Sequence, residues 1–136
     1  MNELSQYLKA GDRFAEHSGI ELVTVEPGHA VTRLAVEPWH MNAIGVVQGG
    51  AIFTLADFAF AAASNSHGTV AVGVNASITF QSAARGGVLT AEAREVGSNP
   101  KLASYTVEVK DDAGRLVAIF QGLVYRKKDP MPPAAH

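Results

Sequence analysis

Residues 49–63 read GGAIFTLADFAFAAA. Alanine and leucine are strong helix formers. On a helical wheel the apolar side chains of this stretch leave almost no polar face. It is therefore predicted to be a helix enclosed by the rest of the protein. Gly49 and Gly50 open it, and Asn65, Ser66, His67 and Gly68 end it. One residue does not fit: Asp57 is the only Asp, Glu, Lys or Arg between Met41 and Ala84. A carboxylate taken out of water without a partner is costly. Two readings follow: a carboxylate satisfied by a neighbouring Ser, Thr or backbone group, or one kept for chemistry.

Working outward, the segments after the helix have a different period. Val70, Val72, Val74, Ala76, Ile78 and Phe80 alternate with small or polar residues, which predicts a strand with one apolar face. Leu89, Ala91 and Ala93 alternate in the same way, as do Ala103, Tyr105, Val107 and Val109. After the turn Asp111-Asp112-Ala113-Gly114, the run Leu116 to Tyr125 is nearly all apolar and is predicted to be a central strand covered on both faces. Before the helix, Pro38 to Gln48 follows neither period and is predicted to be a loop. Glu21 to Glu26 and Ala30 to Val36 flank Pro27-Gly28 and predict a hairpin. Leu4, Tyr7, Leu8, Gly11 and Phe14 predict one amphipathic helix from about Glu3 to His17, stopped by Gly19.

The order α-β-β-α-β-β-β-β, with short turns between strands, favours an antiparallel sheet. Nothing but that sheet is available to bury the apolar helix. The expected fold class is α+β, with the sheet wrapped around one long central helix and a further helix at the N-terminus: the hotdog arrangement. A length of 136 residues predicts a single domain over 1–136, with the N-terminal helix inside 1–18 and a frayed tail over 129–136.

Composition narrows the function classes. The hydrophobic fraction of 47% and charged fraction of 18% fit a globular chain. Eleven basic against thirteen acidic residues leave no surplus for phosphate backbones, so nucleic acid is not expected as a partner. The absence of cysteine excludes disulfides, thiolate metal ligands and a Cys nucleophile. No His, Asp or Glu cluster has metal-ligand spacing, so no metal is expected. The longest apolar run, Gly45 to Ala63, is interrupted by Gln48 and Asp57, so no membrane span is expected. With no secretory pattern at the N-terminus, a cytoplasmic location is the expectation.

The helix offers two chemical groups. Its glycine-rich N-terminus presents backbone N–H groups that favour negative charge, such as a carbonyl oxygen becoming an oxyanion. Asp57 lies eight residues further on, roughly 12 Å along the axis. One reacting carbon cannot touch both groups of the same helix. If both act on one carbonyl, they come from two chains whose helices run antiparallel across a two-fold axis.

His40, Asn42, Gly45, Gln48-Gly49-Gly50, Leu55, Asp57 and Ala59 resemble the hotdog-fold acyl-CoA thioesterases of the phenylacetate-degradation, PaaI-like type. Their pattern is N-x-x-G-x-x-H-G-G-x-x-x-x-L-x-D-x-A, and the spacing from Asn42 to Asp57 matches without a gap. The resemblance covers about residues 3 to 127, including the ending DDAGRLVAIFQGLVYRK. It implies hydrolysis of an acyl-CoA thioester to free acid and CoA. In that scheme Asp57 is nucleophile or general base, the Gly49 N–H of the partner chain polarises the carbonyl, and Asn42 orients water or carboxylate. It also implies a homodimer or dimer of dimers, and no cofactor, coenzyme A being part of the substrate. The departure is Gln48, where the family has His. Glutamine keeps a donor and an acceptor but does not titrate near neutrality.

Other candidates are weaker. His40 and Gly50 are expected to line the substrate site. Arg85 and Lys101 are candidates for the phosphates of coenzyme A, ahead of Arg126, Lys127 and Lys128, whose charge is ordinary for a solvated end. Trp39, Met41 and Phe60 are candidates for an acyl site, with core packing the competing reading for Phe60. Gly86-Gly87 reads as a turn, and His17, His29, His67 and His136 read as surface residues. Two alternatives stay open: a non-catalytic acyl or small-ligand binding module, and a hotdog dehydratase, for which His40 is the one available histidine.

Overall fold

The computed structural model describes residues 3–131. The chain runs α1 (Glu3–Gly11), α2 (Arg13–His17), β1 (Ile20–Glu26), β2 (His29–Ala35), a 3₁₀ turn (Pro38–His40), α3 (Gly49–Ser64), β3 (Thr69–Phe80), β4 (Val88–Ser98), β5 (Leu102–Lys110) and β6 (Leu116–Pro130). The six strands form one antiparallel sheet in the order β1-β2-β4-β5-β6-β3. That sheet curls around α3, which packs against all six strands. The expected hotdog architecture is therefore the observed one.

The inner face of the sheet is built to admit a helix. Small residues alternate with larger ones: Ala30, Thr32 and Leu34 on β2, Leu89, Ala91 and Ala93 on β4, Ala103, Tyr105 and Val107 on β5. They meet Ile52, Leu55, Ala56, Ala59, Phe60, Ala62 and Ala63 of α3 in one core. Gly122 of β6 is needed there, because a Cβ on it would lie 2.6 Å from the Phe60 ring. Phe60 also packs edge-on against Tyr105, at 5.8 Å between ring centroids. The position expected to serve either acyl binding or core packing is thus a core position. Buried Thr32 donates its hydroxyl to the Leu55 carbonyl at 2.9 Å, tying β2 to the middle of α3.

Four expectations need correction. The N-terminal helix is two helices, broken where Asp12 leaves helical geometry and caps α2, its Oδ1 accepting from the Ala15 N–H at 3.0 Å. The alternation of β3 is interrupted by a bulge between Gly73 and Asn75. Val72 thereby pairs with outward-facing Tyr125, while Ile78 pairs with inward-facing Phe120, so these two lie on opposite faces. The last strand has one uncovered face, on which Gln121 and Tyr125 are exposed. It also continues to Pro130, which pairs with Thr69, so residues 129 and 130 belong to the sheet. The rest of the expected tail, 132–136, including His136, lies outside the described residues.

Candidate active site

α3 is covered by the sheet on every side but one. Gly50 and Asp57 are exposed, and Thr54 and Ala61 are partly exposed. Their spacing of four, three and four residues places them in one stripe along the helix. Asp57 therefore stands on the open stripe and not in the core, contrary to a reading of the helix as buried all round. Among the described residues its carboxylate accepts no hydrogen bond. The surrounding protein still withholds enough water to raise its pKa above the usual aspartate value, and the negative charge of Asp12 adds to that rise.

The N-terminus of α3 is assembled by the loop before it. Gln48 is the N-cap, and its Oε1 accepts from the Gly50 N–H. The Gln48 backbone N–H donates to the His40 carbonyl at 2.8 Å, and the Val47 N–H donates to Ala84 at 2.7 Å. Asn42 organises the same loop, its Oδ1 accepting from the N–H groups of Ile44 at 3.0 Å and Val46 at 3.2 Å. Its amide nitrogen makes no hydrogen bond among the described residues. Gly50 has thus spent its N–H on the cap, whereas the Gly49 N–H has no acceptor among the described residues. Phe80, at the end of β3, stands over Gly49, and a Cβ there would lie 3.1 Å from the ring.

A cleft of about 890 Å³ opens beside this helix end. Phe14 of α2, Trp39, Met41 and Phe53 give it apolar walls, and Gln48, Gly50 and Thr54 run along its α3 side. That volume lies within the usual range for small-molecule sites. Trp39 is 71% exposed and Phe14 68%, which is unusual for aromatic side chains outside a binding surface. A smaller cavity of about 300 Å³ lies on the other side of Gly49, against Phe80 and Ala83.

His40 lies at the base of the large cleft but offers it no free nitrogen. Its Nδ1 accepts from the Glu37 N–H at 2.8 Å, and its Nε2–H donates to the Ser18 carbonyl at 2.7 Å. The two basic candidates are far apart. Lys101 lies in the turn after β4, where Arg126 donates its N–H to the Lys101 carbonyl at 2.7 Å. Arg85 lies beyond the opposite end of β3. The strand from Val72 to Phe80 alone spans roughly 26 Å, so one chain does not bring Arg85 and Lys101 together.

The stretches that read as turn-flanking histidines hold a cluster the sequence did not flag. His67 pairs with Glu95 at 2.9 Å, the Tyr105 hydroxyl donates to the same Glu95 oxygen at 2.6 Å, and His29 pairs with Glu92 at 2.7 Å. These bonds hold Glu92 and Glu95 below the usual glutamate pKa. They fasten the C-terminal end of α3 and the β1–β2 hairpin to β4, at the end of the molecule away from Gly49. No spacing in the sequence pairs residues 67 and 95. Among the described residues no group of three or more His, Asp or Glu side chains is placed to hold a metal ion.

A curved sheet around one central helix defines the hotdog fold, and among the described residues this helix carries an unengaged N–H at its N-terminus and a carboxylate without a hydrogen-bond partner on its open stripe. The chain belongs to the thioesterase superfamily, which residues 44–118 match, and it is a hotdog thioester hydrolase of the PaaI-like type. A relative from Archaeoglobus fulgidus is 40% identical over 136 residues, covering 99% of this chain and 88% of its own. The acyl-coenzyme A thioesterase PaaI of Escherichia coli is 33% identical, covering 85% of this chain and 83% of its own. The solved structure of the E. coli PaaI protein from the phenylacetic acid degradation operon superposes with a TM-score of 0.86 at 29% identity, covering 96% of this chain and 99% of that one. No helix among the described residues is long and apolar enough to cross a membrane.

Proposed function

We propose that the protein hydrolyses an acyl-CoA thioester to free acid and CoA, in sites shared between two copies of the chain. The observation that carries this reading is the pair of unspent groups on α3: the Gly49 N–H at its N-terminus and the Asp57 carboxylate on its open stripe. The Gly49 N–H of one chain polarises the thioester carbonyl and stabilises the oxyanion. Asp57 of the other chain attacks the carbonyl carbon or takes the proton of an attacking water. Its pKa, raised by burial and by the charge of Asp12, makes it a better base than a free aspartate. Gln48 holds the helix cap, a role that needs no titrating group, and the amide nitrogen of Asn42 is available to orient water. The cleft walled by Phe14, Trp39, Met41 and Phe53 seats an apolar acyl group.

The uncovered edge of β3 supports the shared site. From Thr69 to Phe80 it carries no charge, and its free side faces solvent. Unprotected edges of this kind are prone to pair with another strand. Antiparallel pairing of β3 with its own copy brings the Lys101 end of one chain to the Gly49 end of the other, where coenzyme A phosphates need a cation. No cofactor is required, since coenzyme A arrives with the substrate. A cytoplasmic location and a single-domain organisation complete the reading.

Subunit mixing tests it. Gly49 is the first helical residue, a position that tolerates proline, so Gly49→Pro deletes the N–H without breaking α3. Asp57→Asn alone should lower kcat by about 10²-fold or more. Its stability should be unchanged or higher at neutral pH, because the folded state no longer holds a disfavoured charge. Heterodimers of the two variants retain one intact site and should regain activity, measured as thiol release. Wild-type rates in Asp57→Asn, or inactive heterodimers, would overturn the shared-site reading. Binding of acyl-CoA without turnover by the wild-type protein would instead make it a binding module.

A further inference from the structure

The substrate cleft has two walls that come from distant parts of the chain, and one buried side chain joins them. One wall is α2 with its C-cap residue, contributing Phe14, His17 and Ser18. The other is the loop and helix end contributing Met41, Gln48, Gly50 and Phe53. His40 is 5% exposed. Its imidazole reaches α2 through Nε2 and the start of the loop through Nδ1, and its backbone carbonyl receives the N–H of the cap residue Gln48. Ser18 O accepts only, and Glu37 N–H donates only, so these partners make Nε2 the donor and Nδ1 the acceptor of the ring. The Trp39 ring lies tilted beside it, 5.5 Å between ring centroids, and lines the same cleft.

We propose that His40 is the positioning residue of the acyl cleft: it clamps the C-terminal end of α2 to the loop that caps α3 and so sets the distance between the cleft walls. The inference rests on the reading of that cleft as the acyl seat. His40 touches no reacting atom. Its bond to Ser18 holds Phe14 and His17 opposite Gly50 and Phe53, so that an apolar acyl group meets two preformed walls. An ordered wall costs the ligand no loop entropy on binding. A short acyl group that does not fill the cleft gains nothing from the clamp. His40 therefore acts on acyl-size discrimination and on KM, and leaves the chemical step at Gly49 and Asp57 unchanged.

Two substitutions separate its two bonds. The side-chain oxygen in His40→Asn replaces Nδ1 as acceptor for the Glu37 N–H but cannot reach Ser18. The terminal amide in His40→Gln replaces the Nε2–H donor to Ser18 and keeps the clamp. His40→Asn should raise KM for hexanoyl-CoA by about tenfold, leave kcat within threefold, and change kcat/KM for acetyl-CoA less than threefold. His40→Gln should stay within threefold of wild type on both substrates. Trp39 is the only tryptophan, so its fluorescence reports cleft occupancy without turnover. Titration with the non-hydrolysable thioether analogue of hexanoyl-CoA should show tight binding by wild type and His40→Gln and weaker binding by His40→Asn. If wild type binds the analogue without change at Trp39, the acyl-seat reading fails. If wild type responds and His40→Asn binds equally well, or loses acetyl-CoA turnover in the same proportion, the clamp is overturned. Should His40→Asn not fold, a His40→Gln variant with tenfold weaker analogue binding overturns it equally.

Discussion

The sheet has two edges, and they are finished in opposite ways. β1 is short, carries Glu21 and Glu26, and is packed against by α1 and α2. β3 is twelve residues long, carries no charge, and among the described residues pairs with β6 on one side and with no strand on the other. Val72, Val74 and Phe80 on it are all about half exposed. Charge, shortness and a covering helix are the usual means of keeping an edge from pairing. β1 has all three and β3 has none. The contrast marks the open edge as the one the proposed pairing would use: the closed edge carries the α2 wall of the cleft, and the open edge leads to Gly49, where the proposed shared site takes a second chain.

The largest effect is expected from giving β3 the protection that β1 already has. Val74→Lys places a charge on the open edge, and two-fold pairing would bring two such charges close together. The expected outcome is a monomer by light scattering. Its activity should fall by about 10³-fold or more, since each site loses either its carboxylate or its oxyanion donor. The matched change on the other edge, Val23→Lys, should leave mass and rate at wild-type values. An active Val74→Lys monomer would break the comparison.

A smaller effect should follow from the fastenings on the β1 side. His29 holds Glu92, and the Tyr105 hydroxyl together with His67 holds Glu95, whereas β3 offers no titratable group. Both glutamates titrate below their ordinary value of 4.5 in the folded protein. The unfolded chain thus binds protons more readily in that range. This contribution to stability is complete above the ordinary glutamate value and is lost as pH falls through the lowered folded values. The melting temperature should hold down to about pH 5 and decline below it, and Glu95→Gln should make the decline shallower. A flat profile in wild type would show that these pairs add nothing.

The smallest effect is expected at Gln48, where the loop meets the end of β3. Because Gln48 serves as a helix cap, Gln48→His should leave kcat within a few fold. The rise of kcat/KM with pH should still follow one apparent pKa, that of Asp57, lying above 3.8. A gain of tenfold or more with a bell-shaped profile would mean that this position carries protons and that the open edge alone does not complete the site.

The sequence determined the layers of this protein and picked out the residues of its proposed chemical centre. The period of 2 in β4 and β5, the all-apolar run of α3 and the lone Asp57 are local signals, legible because burial imposes them residue by residue. The Asn42 to Asp57 spacing is local too, since the loop and helix that carry it are continuous in the chain. Tertiary structure decided the rest. Whether Asp57 is buried depends on which stripe of α3 the sheet leaves open. Gly50, Thr54 and Ala61 beside it are too small and neutral to announce that stripe. The bulge at Val74 comes from pairing with β6, the break at Asp12 from a cap competing with helix continuation, and both act against the simple period. The sequence places His40 near the site but cannot show that Ser18, twenty-two residues away, takes its second nitrogen. Long-range hydrogen bonds and strand order arise only when the chain closes on itself, and they decided which polar groups remain free for chemistry.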